Sequence, residues 1–250
     1  MQTLTEKRVF GAKTGVTDVF VATDTGVAAV TVSADQIGAF GLIHRGATTA
    51  VAATASRLVV GTGDGLLAAD IDAAGRTANV SDPAFESIGG DTVGSVTAVD
   101  IGPKAMLVAD TDGVVFRRKH GSSDDQPPPW QQLGATGGIR DVDAGLLAAP
   151  DGVYRVDNGL TNTGLSDVRA VTGLGQPFAA TDDGLFRLGT GWPSITDGAF
   201  RAVAAAGPGP AHAVGDAAPP RPPPTHAPSA PHPPPAAATA APRAALPLQA

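Results

Sequence analysis

The chain has 250 residues, a net charge of −7 and no cysteine. Disulfides, thiolate metal sites and cysteine nucleophiles are therefore excluded. All its acids precede residue 217, and they comprise 22 Asp against two Glu, Glu6 and Glu86, while 13 Arg stand against four Lys. Such a surface is expected to repel nucleic acid and anionic membranes. An Asp-rich, Lys-poor composition suits a salt-loaded cytoplasm, where hydrated carboxylates stay soluble and salt screens their repulsion. An ordinary acidic protein from a GC-rich genome is the plainer alternative. The apolar share is 42% but aromatics make up only 4%, so any core is built from Ala, Val and Leu. With 32 Gly and 22 Pro, the chain is rich in turns.

The opening MQTLTEKRVF has no basic stretch followed by an apolar one, so no signal peptide is expected. No apolar run nears the roughly 18 residues of a membrane span. A soluble cytoplasmic protein is the expectation.

Along the chain one phrase returns: an apolar run, a small polar step, Asp-Gly or Thr-Gly, and a second apolar run. It reads VFVATDTGVAAV (19–30), LVVGTGDGLLAA (58–69), MLVADTDGVVFR (106–117), LLAAPDGVYRV (146–156) and PFAATDDGLFRL (177–188). The pivots are Gly26, Gly65, Gly113, Gly152 and Gly184, spaced by 39, 48, 39 and 32 residues. Asp-Gly between apolar runs predicts a β-hairpin with a type I′ turn, which needs positive φ at both central residues.

Two more markers keep step. A Val among small or polar residues precedes the hairpins, at Val51, Val99, Val142, Val171 and Val203. An aromatic followed three residues later by Ile or Leu comes after most of them: Phe40/Ile43, Phe85/Ile88, Trp130/Leu133 and Trp192/Ile195. The fourth unit has only GLTNTGL (159–165) there.

Each unit thus reads as four short strands, A to D, over 7–46, 49–89, 95–134, 138–166 and 168–197, with a partial unit at 199–216. Four strands in about 40 residues is the signature of a propeller blade. A lone blade cannot bury both faces, whereas stacked blades can. The predicted fold is an all-β propeller of about five complete blades plus a truncated sixth, occupying residues 1–216.

The hairpins resemble those of sensor-type and BNR-like propellers. Units one to five resemble an uncharacterised β-propeller family of halophilic archaea, over residues 1–216. That resemblance implies a fold and no known substrate or catalytic residue. Neither Trp130 nor Trp192 precedes an Asp, so the Trp-Asp signature of WD40 repeats is missing, although the blades are WD40-like in strand count. The Asp-box is missing too. A sialidase-type site would need Tyr and Glu, yet Tyr154 is the single Tyr.

After Asp216 the composition changes. Residues 217–250 hold 12 Pro and 12 Ala, and no Gly, Asp, Glu, Val, Ile or Phe. A disordered Pro/Ala-rich tail is predicted, since Pro lacks the ladder donor and little apolar bulk offsets the ordering entropy. The sixth unit is interrupted where Gly and an aliphatic are due, so an out-of-frame reading is expected. A polyproline arm, with Pro222-Pro223-Pro224 and Pro233-Pro234-Pro235, is the rival.

Few residues suggest chemistry. Asp64, Asp112, Asp151 and Asp183, each beside its pivot glycine, are read as turn residues that bond their own backbone. Asp110-Thr-Asp112-Gly113 departs from a calcium loop, having Gly at position four and Gly121 at twelve. Gly61-Thr-Gly63 lacks the third glycine and helix of a dinucleotide site. His44, His120 and His212 have no metal-type spacing. No catalytic, cofactor or metal residue is expected.

The remaining pattern is Arg140, Arg169 and Arg201, each opening an A strand of a successive unit. At one mouth of a channel they would form a positive collar for an anion or acidic partner. Pairing with Asp141, Asp167 and Asp197 is the structural alternative. The expected function is a non-catalytic binding or scaffold propeller, monomeric if its ring is intact, engaging a protein or small anion. A channel-mouth hydrolase or lyase and a non-functional truncated product are the other readings.

Overall fold

The computed structural model describes residues 16–33, 36–71, 83–121, 128–205, 207, 211–215 and 246–248. Among them every regular element is a β-strand, and the strands form six antiparallel sheets in chain order. The first holds β1 (Val16–Thr23), β2 (Gly26–Ser33) and β3 (Gln36–Arg45). The second holds β4 (Thr48–Ala53), β5 (Arg57–Thr62), β6 (Gly65–Asp70) and β7 (Glu86–Ser87). The third holds β8 (Val96–Ile101), β9 (Ala105–Asp110), β10 (Val114–Lys119) and β11 (Gln131–Ala135). In the fourth are β12 (Asp141–Asp143), β13 (Leu146–Ala149), β14 (Gly152–Val156) and β15 (Leu160–Asn162). In the fifth are β16 (Val168–Thr172), β17 (Phe178–Thr181), β18 (Gly184–Arg187) and β19 (Ser194–Asp197). The sixth pairs β20 (Phe200–Ala205), β21 (Ala211–Gly215) and β22 (Leu246–Leu248).

Sheets two to five are the expected four-stranded blades, each with its strands side by side in chain order. The first has three described strands, and the stretch expected to supply a fourth lies outside the described residues. The tail departs from expectation at one place. Leu246–Leu248 pairs with β21, with Ala211 opposite Leu248 and His212 opposite Pro247. Proline is tolerated there because an edge strand need not donate on its outer side. The rest of the expected tail lies outside the described residues.

The chain divides into two compact units, Met1–Gln132 and Leu133–Ala250, with the division inside β11. In the first unit, Val27, Ala29 and Ile43 pack on Leu58 and Val60 between sheets one and two. Val59, Leu66, Ala68, Val96, Val108 and Phe116 fill the next interface. In the second unit, Leu146, Ala148 and Val153 meet Val168, Val171 and Ala179, and Phe178 and Leu185 meet Val203, Ala211 and Ala213. Each buried Val or Leu contributes about 1.5–3 kcal/mol. Alanine on the facing positions lets neighbouring sheets approach closely, which fits a core almost free of aromatics.

The hairpins fall where the repeat places them, but their turns are not type I′. Thr23 pairs with Gly26, Thr62 with Gly65 and Ala149 with Gly152, so the two central residues precede each glycine. Positive φ falls on the glycine that opens the outgoing strand: +142° at Gly26, +133° at Gly65 and +145° at Gly152. A Cβ at Gly26 would sit 1.8 Å from the His44 carbonyl oxygen of β3, and one at Gly152 2.9 Å from that of Gly164. At Gly26 and Gly152 the glycine therefore serves close strand approach. A turn with positive φ at both centres does occur at Ala144 (+46°) and Gly145 (+81°), joining β12 to β13.

The aromatic marker ties neighbouring sheets together. The indole N–H of Trp130 donates to the Ile88 carbonyl at 3.1 Å, and that of Trp192 to the Thr163 carbonyl at 3.1 Å. Those two acceptors are equivalent, since their own N–H groups bond the residue following a pivot glycine, Leu66 and Val153. Arg118 lies 4.6 Å over the Trp130 ring and also donates to Ile88. The Phe85 ring packs against His44 at 4.7 Å. Phe40, the marker of the first sheet, is 80% exposed.

Candidate functional site

A bulge recurs near the start of the A strands. In β4, Thr48 and Ala50 face consecutive residues of β5, leaving Thr49 extra; in β8 the extra residue is Thr97. The same shift leaves Arg169 extra in β16 and Arg201 extra in β20. Arg140 stands at the matching place, one residue before β12, with its N–H on the Ala148 carbonyl at 2.8 Å. A bulge bends its strand and re-aims the inserted side chain. Arg140, Arg169 and Arg201 are all exposed. All three belong to the second unit, where β12 lies against β16 and β16 against β20.

Arg169 and Arg140 are engaged within the chain. Arg169 grips Asp182, Nε to Oδ1 at 2.8 Å and Nη2 to Oδ2 at 2.7 Å. Asp182 is the first residue of the β17–β18 turn. Its carboxyl is held below the usual range first by the hydrogen bond from Arg169, then by the charges of Arg169 and Arg140. Arg140 donates Nη1 to the Val168 carbonyl at 3.0 Å, the residue just before Arg169. In the first unit Thr49 makes the matching tie, its hydroxyl donating to the carbonyl of Val96, just before Thr97. Thr49 and Arg140 thus each link the start of an A strand to the next one.

Asp141 and Asp143 complete the join between β12 and β16. The Val171 N–H donates to Asp141 Oδ2 at 3.0 Å, and the Gly173 N–H to Asp143 Oδ2 at 2.8 Å. The Thr172 hydroxyl, almost fully buried, donates to the same Asp143 oxygen at 2.8 Å. Two carboxylates spaced by two residues thus match alternate N–H groups along β16, the pitch at which an antiparallel strand presents them.

The family model described as Beta-prop_HVO_0234:-like, beta propeller, matches residues 3–220. The chain belongs to this β-propeller family. No curated protein matches it. Among solved structures it is similar to PorZ, described as an essential surface component of the type-IX secretion system of Porphyromonas gingivalis. The TM-score is 0.52 at 18% identity, over 78% of this chain and 28% of PorZ, so the likeness bears on fold alone. The WD40 propeller domain of Doa1 gives a TM-score of 0.47 at 12% identity, over 66% of this chain and 60% of that one.

In this propeller the turn caps come from residues that the repeat reading passed over. Thr23 and Thr181 accept from the Gly26 and Gly184 N–H groups, at 3.1 and 3.0 Å. Thr62 accepts from the Asp64 N–H at 3.1 Å, and Asp110 from the Val114 N–H at 2.8 Å. A Thr or Asp three residues before a pivot glycine was the available signal. Of the turn aspartates, Asp151 accepts from the Tyr154 hydroxyl at 2.6 Å, which raises the Tyr154 pKa. Asp64 and Asp112 stand at their turns in the first unit, and Asp183 at its own in the second. No helix among the described residues is long and apolar enough to cross a membrane.

Proposed function

We propose that this chain is a non-catalytic binding propeller whose contact surface is the A-strand end bearing Arg140, Arg169 and Arg201. The observation that carries the reading is an exposed arginine at the start of the A strand in three successive sheets of the second unit, at a bulge in β16 and β20 and one residue before β12. Guanidinium groups in series on an acidic body select a carboxylate or phosphate and leave neutral ligands alone. The partner is an anionic small molecule or the acidic surface of a protein. Nucleic acid and anionic membranes are disfavoured by the net charge of −7. With its ring intact, the propeller works as a monomer.

We infer a salt-rich cytoplasm as its setting. The support is 22 Asp against two Glu and 13 Arg against four Lys. The test is binding of a labelled oligoaspartate peptide, at fixed ionic strength, to the native chain and to the R140Q/R169Q/R201Q variant. Loss of binding in the variant supports the reading; equal binding overturns it.

A further inference from the structure

The geometry points to a carboxylate-binding site at Arg169 and Arg140 that the protein fills with its own Asp182. The inference rests on the preceding reading of these arginines as a contact surface, and it names the ligand class and the way access is controlled. Arg169 presents its Nε and Nη2 edge to both Asp182 oxygens, at 2.8 and 2.7 Å. That side-on fork is the one a guanidinium offers to any carboxylate. Arg140 is anchored by the Val168 carbonyl at 3.0 Å, on the residue next to Arg169, and its charge acts on Asp182 as well. A single carboxylate thus feels two guanidinium groups.

The occupant is weakly held. Asp182 is exposed at the tip of the β17–β18 turn, and its contact with Arg169 is a half-exposed ion pair. Pairs of this kind contribute little, because water solvates both partners and side-chain entropy opposes them. A carboxylate arriving from outside finds the same fork and the same second charge. It replaces Asp182 one for one, with no covalent step and no change in the strands. Asp182 is therefore an internal competitor that lowers affinity for acidic ligands and confines binding to those that out-compete it. The source of the carboxylate is either the acidic side chains of a protein or a free dicarboxylate.

Fluorescence anisotropy of a labelled ten-residue oligoaspartate, with the full chain at fixed ionic strength, tests this. Removing the competitor with D182N is expected to tighten binding about two- to fivefold, the range an exposed pair is worth. D183N makes the same charge change one residue away, and it is expected to leave affinity unchanged. Adding R169Q to D182N is expected to abolish the gain. Displacement of the peptide by succinate supports the site with a free dicarboxylate as ligand, and failure to displace supports it with an acidic protein segment. If D182N binds like the native chain while R140Q/R169Q/R201Q loses binding, the arginine surface stands and the competitor role of Asp182 falls. Equal tightening by D182N and D183N also overturns it, as a bulk charge effect. If the native chain, D182N and the triple variant all fail to bind, or all bind alike, both readings fall together.

Discussion

Removing the Asp143 carboxylate tests whether the join between β12 and β16 is made by hydrogen bonds or by apolar packing alone. In D143A two donors lose their acceptor, the Thr172 hydroxyl and the Gly173 N–H. Thr172 is only 1% exposed, so its hydroxyl cannot turn to water, and a buried unsatisfied donor costs about 1–3 kcal/mol. Gly173 is half-buried and partly solvated once the carboxylate is gone, so it adds about 1 kcal/mol. The expected total is about 2–4 kcal/mol, a large part of the roughly 5–15 kcal/mol available to a domain. Making the same change in a T172V background removes the orphaned hydroxyl, and D143A should then cost about 1 kcal/mol. The coupling of about 1–3 kcal/mol is read from equilibrium unfolding in urea across the four variants, with the denaturant slope held constant. A D143A cost below about 0.5 kcal/mol, or one unchanged by T172V, refutes the argument.

At the pivot glycines, G65A should cost about 1–3 kcal/mol from backbone strain alone, its Cβ meeting the Val93 carbonyl at an ordinary 3.5 Å. G26A, at nearly the same φ, should cost about 1–3 kcal/mol more because the His44 carbonyl stands in the way; equal unfolding midpoints would contradict this. Trp130→Ala should cost at least about 2 kcal/mol by losing the Ile88 bond and the Arg118 contact. Phe40→Ala, at the same marker position but 80% exposed, should stay within about 0.5 kcal/mol by the same assay. In an NMR titration the Asp182 carboxyl should ionise below its usual range, and R169Q should bring it back up. Because the folded value is the depressed one, the associated stability is present above the unfolded pKa. It is lost as pH falls through the folded value.

The fold was legible because a blade is written locally. Pivot glycine, A-strand valine and late aromatic each carry information about one strand, and their fixed order gives four strands per unit. What the order could not give was the reason for each residue. Gly26 reads as a turn residue from sequence, since Asp-Gly and Thr-Gly favour tight turns. Its role depends on the carbonyl of His44, about 20 residues away, and no local pattern records that distance. The same holds for Trp130 and Trp192, whose periodicity marks a strand while their indole nitrogens reach into the preceding sheet.

The site was legible to the extent that it repeats. Arg140, Arg169 and Arg201 share a place at the start of an A strand, which is why the series stood out, and at Arg169 and Arg201 that place is a bulge. Their partners do not keep step with them. Asp182 has a counterpart in Asp24 of the first hairpin but not in the other three, and its contact with Arg169 follows from the β16–β17 register, where the bulge sets Arg169 beside the turn that follows Thr181. Asp141 and Asp143 likewise occur together in a single A strand. A repeat fixes what every blade needs in order to stack, so its period reveals scaffold. Departures from the period serve two ends: Asp141 and Asp143 add a join between two particular sheets, while an exposed acid set against a guanidinium group, as Asp182 is against Arg169, is where binding specificity can be built on a propeller.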